Sequence, residues 1–370
     1  MKSYNHLMER YLSKENYREA VRNCTRRKGK NGRKNKRMRY IRDHADEMEP
    51  YFLNEAAHFK SSEHTPKTIY DGVRRKKRQI LIPTEREQVI HHMAMNVMQP
   101  IFQKGMYEHS YGSIPGRGAH AAKKRIEKWI RKGGRSVKYV LKMDIKKYYD
   151  SVPHDILKRK LAEIVHDQEF LTVLYEIVDA NGTDRGIPIG FYTSQWFANW
   201  YLTELDHYIK EVLHVKYFVR YVDDMVIFGG NKRELHQIRR AIEAYLRERL
   251  GLTMKENWQV YLFHYIKRNG KEIGRDLDFL GFRFYRNRTT LRRSVMLKAT
   301  RKARRIAKKS VKTIYDCRQM LSYLGWIKAT DTYGMYRKHV KPFVNFQNLK
   351  RRASAYQKHM NKKEALKHVA

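Results

Sequence analysis

Two adjacent aspartates interrupt an apolar and aromatic run in the second half of the chain. Asp223 and Asp224 lie in the stretch YFVRYVDDMVIF, residues 217–228. A buried carboxylate is costly to leave unpaired, and two carboxylates side by side repel each other. Divalent cations would make the pair favourable, because Mg²⁺ prefers oxygen ligands and often combines one or two carboxylates with substrate phosphates. The alternative is that both aspartates are ordinary turn residues.

A third carboxylate, Asp144, lies late in the run YVLKMDIKKYYD, residues 139–150. The alternation of apolar residues predicts a strand with one buried face, and Asp144 lies on the opposite face. Together with Asp223 and Asp224 it could hold two Mg²⁺ ions, or Mn²⁺ in their place, about 4 Å apart. Two such ions activate an attacking 3′-hydroxyl and stabilise a leaving pyrophosphate. Taken alone, Asp144 is better explained as the end of a strand.

The segments around these aspartates predict four elements of secondary structure. Residues 194–213 carry apolar side chains at helical spacing, with Ser194 as the N-cap. YFVRY and MVIF predict two strands of a tight hairpin joined through residues 222–224. Residues 233–250 predict an amphipathic helix that ends at Gly251. A strand, a helix, a hairpin and a further helix make an α+β unit.

The chain is strongly basic. Its 370 residues include 79 Lys and Arg against 38 Asp and Glu, a formal net charge of +41. Such an excess repels itself unless a polyanion supplies counter-charge, which favours nucleic acid over a membrane surface as the partner. The basic residues concentrate in residues 26–40, in RRKKR at 74–78 and in the last eighty or so residues. The stretch at 26–40 is expected to become ordered only when bound.

Several classes of protein are disfavoured by composition. No apolar run is long enough to span a bilayer and no signal peptide opens the chain, so we expect a cytoplasmic protein. The two cysteines, Cys24 and Cys317, indicate neither a disulfide framework nor a cysteine-type zinc site.

Beyond Arg292 the pattern predicts one long basic helix. Its narrow apolar stripe consists of Ala299, Ala303, Ile306, Ala307 and Ile314. The rest of its surface carries Arg301, Lys302, Arg304, Arg305, Lys308, Lys309 and Lys312. We expect the stripe to dock on the body and the basic face to bind nucleic acid phosphates, chiefly through Arg301, Arg304, Arg305 and Lys308.

The order of these segments resembles the palm of a reverse transcriptase. The resemblance covers roughly residues 74–285. Residues 78–102 look like the first finger block, and YGSIPGRGAHAAKKRI at 111–126 looks like the second. Asp144 stands as the first catalytic aspartate, and YVDD carries the other two. LTMKEN at 252–257 supplies a lysine, and LDFLGFRF at 277–284 resembles the loop and strand that grip the primer.

The resemblance implies an α+β right-hand polymerase with fingers, a palm built on an antiparallel sheet, and a helical thumb. Residues 1–73 would form a basic N-terminal arm, residues 74–285 the fingers and palm, and residues 286–370 the basic thumb.

One block departs from the pattern of most group II intron and retron enzymes, which read QGxxxSP before the palm helix. Here GIPIGFYTSQWFANWYL has Ile189 in place of the glutamine and Gln195 in place of the proline. This GxxxSQ form resembles the reverse transcriptases of diversity-generating retroelements, and SYLGWIKATDTY at 322–333 is similar to their thumb. Such enzymes copy a template-repeat RNA into cDNA with frequent errors opposite adenines, and the cDNA replaces a variable repeat in a target gene. They act with a small basic accessory variability protein that forms a pentamer.

The resemblance also assigns roles to single residues. The implied metal ligands are Asp144, Asp223, Asp224 and the backbone carbonyl of Ile145. Tyr149 matches the steric gate, whose ring under the sugar excludes a 2′-hydroxyl and so favours dNTPs, although a core tyrosine is the alternative. Lys255 matches the lysine that protonates pyrophosphate; a lone lysine after a helix could equally be a surface residue.

Four basic residues of the finger blocks have expected contacts with substrates. Lys76 and Arg78 lie where finger cations meet the incoming triphosphate, and which member of RRKKR does so stays open. Arg117 and His120 are expected near the template strand. For His120, a structural histidine is an equally good explanation.

Ile189, with Gly190 and Gln195, forms the predicted nucleotide-side block. The usual glutamine packs near the templating base and the incoming nucleotide. An aliphatic side chain removes hydrogen bonds that fix base-pair geometry, so mispairing should be penalised less. The alternative is that isoleucine only packs better at this position.

The sequence therefore predicts an RNA-templated DNA polymerase that uses two Mg²⁺ ions and dNTPs and is error-prone at template adenines. A retron or phage-defence reverse transcriptase is the rival within the same class. A non-catalytic RNA-binding protein with a palm fold is the rival from another class, and the intact aspartate trio argues against it.

Overall fold

The computed structural model describes residues 3–25, 36–71 and 76–367, and all the elements below lie within them. The helices are α1 Leu7–Tyr11, α2 Lys14–Thr25, α3 Lys36–Asp43, α4 Glu49–Ala57, α5 Glu85–Gly105, α6 Ala119–Lys132, α7 Tyr148–Ser151, α8 His154–Ala162, α9 Gln168–Val178, α10 Tyr192–Tyr201, α11 Thr203–His207, α12 Lys232–Leu250, α13 Arg293–Ala307, α14 Ile314–Lys328, α15 Tyr333–His339 and α16 Phe346–Lys367. The strands are β1 Lys67–Asp71, β2 Lys76–Ile80, β3 Tyr139–Met143, β4 Tyr217–Tyr221, β5 Asp224–Gly229, β6 Gln259–Leu262, β7 Tyr265–Ile266, β8 Glu272–Ile273, β9 Leu277–Phe279, β10 Phe282–Phe284 and β11 Thr289–Leu291.

The chain forms two compact units. The first comprises Met1–Ala122 and Lys138–Val260, and the second comprises Lys123–Val137 and Tyr261–Ala370. Mixed helices and antiparallel strands confirm the predicted α+β class. The predicted three-part division at residues 73 and 285 stays a prediction. Of the predicted basic stretch at 26–40, residues 26–35 lie outside the described part of the chain, and the rest belongs to α3.

The central sheet of the first unit has the strand order β4-β5-β3-β6. β4 and β5 form the predicted hairpin, in which Tyr221 pairs with Asp224. β3 runs antiparallel to β5, and its last residue, Met143, pairs with Met225 at the start of β5. Because the end of β3 meets the start of β5, residue 144 is carried to the tip of the hairpin.

The helix that precedes the hairpin differs from its prediction. α10 begins at Tyr192 with Phe191 as the N-cap, so Ser194 lies buried inside the first turn and does not cap it. The helix is also not continuous to residue 213. It ends at Leu202, is followed by α11, and closes in a π-helical turn over Tyr208–Val212. A π turn shifts the register of the side chains that follow. Val212, predicted to be apolar core, is 61% exposed.

The neighbouring helix α12 confirms its prediction closely. Asn231 caps its start through a hydrogen bond to the backbone of Arg233, and Gly251 ends it in the left-handed conformation. Its buried side chains repeat at helical spacing and pack into the core of the first unit.

In the second unit, the three-stranded sheet β11-β10-β9 accompanies helices α13 to α16. The segment 277–284, predicted as a loop and a strand, forms the two antiparallel strands β9 and β10, and Phe282 stacks on Trp326 at 4.8 Å. The predicted long helix after Arg292 is wrong beyond residue 307, where α13 ends. Ala307 is exposed, and Ile314 begins the separate helix α14.

Asp316 explains the break between α13 and α14. It forms a capping box with Thr313, which fixes the start of α14. It also accepts hydrogen bonds from Lys302 Nζ at 2.7 Å and Lys309 Nζ at 2.8 Å. These two lysines, predicted to face nucleic acid, instead bind the second unit together.

Among the residues described, no helix combines the length and the apolar character that crossing a bilayer requires.

Replacing Asp316 with asparagine should lower the free energy of unfolding by about 2 to 3 kcal/mol, because Lys302 and Lys309 lose their counter-charge. Burial alone would raise the pKa of Asp316, but the hydrogen bonds from Lys302, Lys309 and Thr313 lower it below its ordinary value. A lowered folded pKa stabilises the protein above the unfolded pKa, about 4, and this contribution is lost as the pH falls further.

Chemical denaturation of wild type and Asp316→Asn at pH 7 and at pH 3 measures both effects, and the difference should shrink at the lower pH. Asp278→Asn is the matched control, since its partner Arg292 is 39% exposed, and it should cost under about 1 kcal/mol. Equal losses for the two variants would contradict the assignment.

Candidate functional site

Asp144 and Asp223 approach each other at the tip of the β4–β5 hairpin, and Asp224 is adjacent to Asp223 in the chain. Asp144 follows the last residue of β3, Asp223 lies in the turn, and Asp224 begins β5. The side chains of Asp223 and Asp144 are close enough to interact through a hydrogen bond. Burial and the nearby charges of Asp144 and Asp224 hold the pKa of Asp223 well above its ordinary value. The site therefore has more negative charge than its protein surroundings neutralise.

Lys255 supplies a positive charge next to Asp144. Its Nζ donates to Asp144 Oδ2 at 2.7 Å, and its backbone N–H donates to the Asp144 carbonyl at 2.8 Å. The hydrogen bond that Lys255 donates to Asp144 raises the pKa of Lys255. The segment that carries Lys255 is aligned by a bridge between Ile145 and Met254. Lys255 is 44% exposed, so its ammonium also faces solvent.

A divalent cation suits this donor set. In the described part of the chain, no three His, Cys, Asp or Glu side chains are arranged as a complete metal site. Asp144 and Asp223 nevertheless offer two adjacent carboxylates, and burial together with the charges of Asp144 and Asp224 raises the pKa of Asp223. Mg²⁺ typically takes one or two carboxylates and completes its shell with waters and substrate phosphates. The residues present therefore fit an ion that is shared with a phosphate-bearing substrate.

A cavity of about 320 Å³ lies within the first unit and is lined by both Tyr149 and Ile189. Gln79, Asp150, Asn181 and Arg185 also contribute to its wall. Burial raises the pKa of Tyr149 to about 12, with a further contribution from the charge of Asp223. Tyr149 thus lines the cavity and also lies near Asp223.

The backbone of the block that carries Ile189 is anchored on both sides. The amide of Ile187 donates to the Tyr149 carbonyl at 2.7 Å, and His154 Nε2 hydrogen-bonds with the Gly186 carbonyl at 2.7 Å. On the other side, the Leu81 amide donates to the Ile189 carbonyl at 3.0 Å.

Gly190 is required by this close approach. It has a φ of +125°, and a Cβ there would lie 2.1 Å from the Leu81 carbonyl oxygen. Gln195, by contrast, is exposed on α10 and does not line the cavity.

The structure describes only part of the RRKKR segment, whose cations were predicted to contact the triphosphate. Arg78 is half-buried on β2, and its charge is close enough to lower the pKa of Tyr149 against the effect of burial. Lys76 begins β2, but its side chain lies outside what the structure describes, as do Arg74 and Arg75 altogether.

Arg117 donates hydrogen bonds to the backbone of the segment that precedes it. Its Nη1 donates to the carbonyls of Tyr107 at 2.7 Å and Ser110 at 3.0 Å. This bonding gives Arg117 a structural role in addition to its predicted contact with the template. His120 is exposed near the start of α6.

The predicted phosphate-binding residues of the second unit lie on α13 and at its end. All four are exposed: Arg301, Arg304, Arg305 and Lys308. Arg304 also lies over the ring of Phe343, 5.4 Å from its centroid.

A buried ion pair next to the hairpin was not predicted from the sequence. Arg220 of β4 is fully buried and forms an ion pair with the equally buried Asp206 of α11. The signal was present, since an arginine inside the apolar run YFVRY raises the same question as the aspartates that follow it.

Comparison with known proteins identifies the family. The family model described as "Reverse transcriptase (RNA-dependent DNA polymerase)" matches residues 65–284. These residues hold the central sheet, the three carboxylates, and the cavity beside Tyr149. The fold is thus that of a polymerase palm with its associated segments. This chain belongs to the reverse transcriptase family.

Curated relatives match a smaller part of the chain. Protein YkfC of Escherichia coli (strain K12) is 27% identical over 145 residues, which cover 37% of this chain and 38% of that protein. The group II intron-encoded protein LtrA of Lactococcus lactis subsp. cremoris is 26% identical over 146 residues, or 37% of this chain and 24% of the relative. The chain therefore spans well under two thirds of the length of these relatives.

Solved structures of telomerases also show similarity. The telomerase of Candida tropicalis with a fragment of telomeric RNA has a TM-score of 0.48 at 13% identity, covering 80% of this chain and 59% of that one. The Candida albicans telomerase has a TM-score of 0.46 at 14% identity, covering 82% and 61%.

Proposed function

We propose that this protein is an RNA-directed DNA polymerase that extends a DNA strand with dNTPs on an RNA template. The observation that carries the proposal is the approach of Asp144 to Asp223, with Asp224 adjacent in the chain and with Tyr149 both near Asp223 and in the cavity wall, within a chain of the reverse transcriptase family. A non-catalytic RNA-binding protein would gain nothing from carboxylates whose mutual repulsion is left partly unneutralised.

Asp144, Asp223 and Asp224, with the Ile145 carbonyl, are the proposed ligands of Mg²⁺, for which Mn²⁺ could substitute. Bound Mg²⁺ would supply Lewis-acid activation of the 3′-hydroxyl and neutralise charge on the phosphates. The carboxylates would bind and orient the Mg²⁺, since strand pairing fixes the backbone next to them.

Lys255 is the proposed proton donor to the leaving pyrophosphate. Its salt bridge with Asp144 raises its pKa, so this bridge must open before the ammonium can give up its proton. Arg78, and Lys76 two residues before it, would then offset charge on the triphosphate.

The primary test is primer extension on an RNA template with Mg²⁺ and dNTPs. Asp223→Ala and Asp144→Ala should each lower the rate by about a thousandfold, because each removes several kcal/mol of transition-state stabilisation. Asp155→Ala, an exposed aspartate at the start of α8, is the matched control and should extend at the wild-type rate. Extension that survives Asp223→Ala would overturn the mechanism.

Tyr149 is proposed to exclude ribonucleotides. Tyr149→Ala should lower the preference for dNTPs over rNTPs by about 10- to 100-fold, because the ring that clashes with a 2′-hydroxyl is gone. Tyr149→Phe keeps the ring and should keep the preference. The ratio of kcat/KM values for dGTP and GTP measures the effect, and an unchanged ratio for the alanine variant would remove Tyr149 from the site.

We further propose that the enzyme belongs to the diversity-generating group. It would copy a template-repeat RNA with errors opposite adenines and act with a small basic pentameric accessory protein. Support comes from the GxxxSQ block and from the position of Ile189, which is half-buried against the cavity and so is not simply a core residue. A retron-like enzyme stays the rival, and the error spectrum separates the two.

Ile189→Gln should reduce misincorporation opposite template adenines several-fold, because the amide restores hydrogen bonds near the base pair. Ile189→Leu keeps an aliphatic side chain and should leave the error rate high. Sequencing of cDNA made on one adenine-rich RNA template gives the comparison. If wild type and Ile189→Gln show the same adenine errors, Ile189 does not set fidelity.

A further inference from the structure

The turn that presents the aspartates contains an unusual backbone conformation. Val222, immediately before Asp223, has a φ of +57°. β-branched residues rarely adopt positive φ, and such strain persists only where the surrounding structure holds it. The Val222 side chain is also buried, at 8% exposure, so the turn is packed on the inside.

Arg220 holds this turn from below. Its Nη1 donates to the Val222 carbonyl at 3.0 Å. Its Nη2 donates to the Asn199 carbonyl at 3.2 Å, and its Nε donates to Asp206 Oδ1 at 2.7 Å. Since the side chains of Arg220 and Asp206 are both 0% exposed, the guanidinium has one fixed position.

Gly112 packs closely against the same turn at Val222. A Cβ on Gly112 would lie 2.4 Å from Val222 Cγ2 and 2.8 Å from the Val222 amide nitrogen. The Gly112 carbonyl accepts a hydrogen bond from Asn199 Nδ2 at 2.8 Å. Asn199 therefore links the Gly112 backbone to the same carbonyl network that Arg220 uses.

Stability alone does not account for this ion pair. Replacing a buried ion pair with apolar side chains of similar volume is often neutral or stabilising. The Arg220–Asp206 pair does have a second effect, because Arg220 reaches a carbonyl in the residue that precedes Asp223.

We propose that Arg220, oriented by Asp206, is a positioning residue that fixes the Val222 turn and thereby aims Asp223 and Asp224 at the shared metal site. This inference rests on the proposed role of the two aspartates. Arg220 touches neither substrate nor metal; it acts through the backbone of the turn. Loss of its hydrogen bond to Val222 lets the turn relax toward negative φ and moves the carboxylates apart.

The test separates positioning from stability. Arg220→Met alone leaves the Asp206 carboxylate buried without its partner and should lower the melting temperature. The double variant Asp206→Leu/Arg220→Met removes both charges and should recover most of that melting temperature. Each full-length variant is assayed for thermal unfolding and for primer extension across a Mg²⁺ titration. Tyr107→Phe is the matched control, because it removes another hydrogen bond to a β4 carbonyl, that of Phe218.

Positioning predicts that the double variant stays about 10- to 100-fold slower than wild type, because misplacements of about 1 Å can cost that much. It should also need several-fold more Mg²⁺ for half-maximal extension. Tyr107→Phe should match wild type in rate and in Mg²⁺ requirement. A double variant that regains stability together with the wild-type rate and Mg²⁺ requirement would overturn the positioning role.

Asp223→Ala, assayed alongside, distinguishes the two levels of failure. If it is inactive while the double variant behaves as wild type, only the positioning role is lost. If it is active, the metal-ligand role and the inference built on it both fail.

Discussion

Repulsion between carboxylates at the hairpin tip is the constraint on which the palm depends. Strand register brings Asp144 to Asp223, because the end of β3 pairs with the start of β5. A cation bound at this site would relieve that repulsion. Lys255 donates to Asp144, while burial and the neighbouring charges of Asp144 and Asp224 raise the pKa of Asp223. An incompletely neutralised pair is what a site that receives a cation together with its substrate requires.

Asp206, in contrast to Asp223, is a buried carboxylate with a complete ion-pair partner. Asp206 is as deeply buried as any charge in the first unit, and Arg220 binds it with two nitrogens. That pair is complete and closed to solvent. Asp223 lies three residues beyond Arg220 and is left short of such a partner. Arg220 instead reaches the carbonyl of Val222, the residue immediately before Asp223. The fold thus pairs the carboxylate that supports the turn with a buried arginine, and it raises the pKa of the carboxyl group that the turn presents.

Local patterns predicted the central elements well, and long-range pairing accounts for most of what they missed. The hairpin, β3 and α12 follow from period-2 and period-3.6 spacing, which depends only on nearby residues. The break after α13 depends on Asp316, whose lysine partners lie 7 and 14 residues away, so the continuous basic pattern concealed it. Likewise, a basic residue looks the same in sequence whether it is exposed, as Arg301 is, or buried against an acid, as Arg220 is.

The proposed nucleotide-side cavity would allow fidelity to change without loss of the fold. Its wall at Ile189 is positioned through main-chain hydrogen bonds, to Tyr149 through Ile187 and to Leu81 through the Ile189 carbonyl. Those bonds do not depend on the side chain at 189, whereas Gly190 beside it admits no Cβ. Position 189 is therefore free to vary in chemistry while its backbone stays fixed relative to Tyr149. Because the carboxylates are carried by β3, β5 and the turn between β4 and β5, a substitution at Ile189 would, in the role proposed for this residue, alter the discrimination between bases while the carboxylates keep their positions.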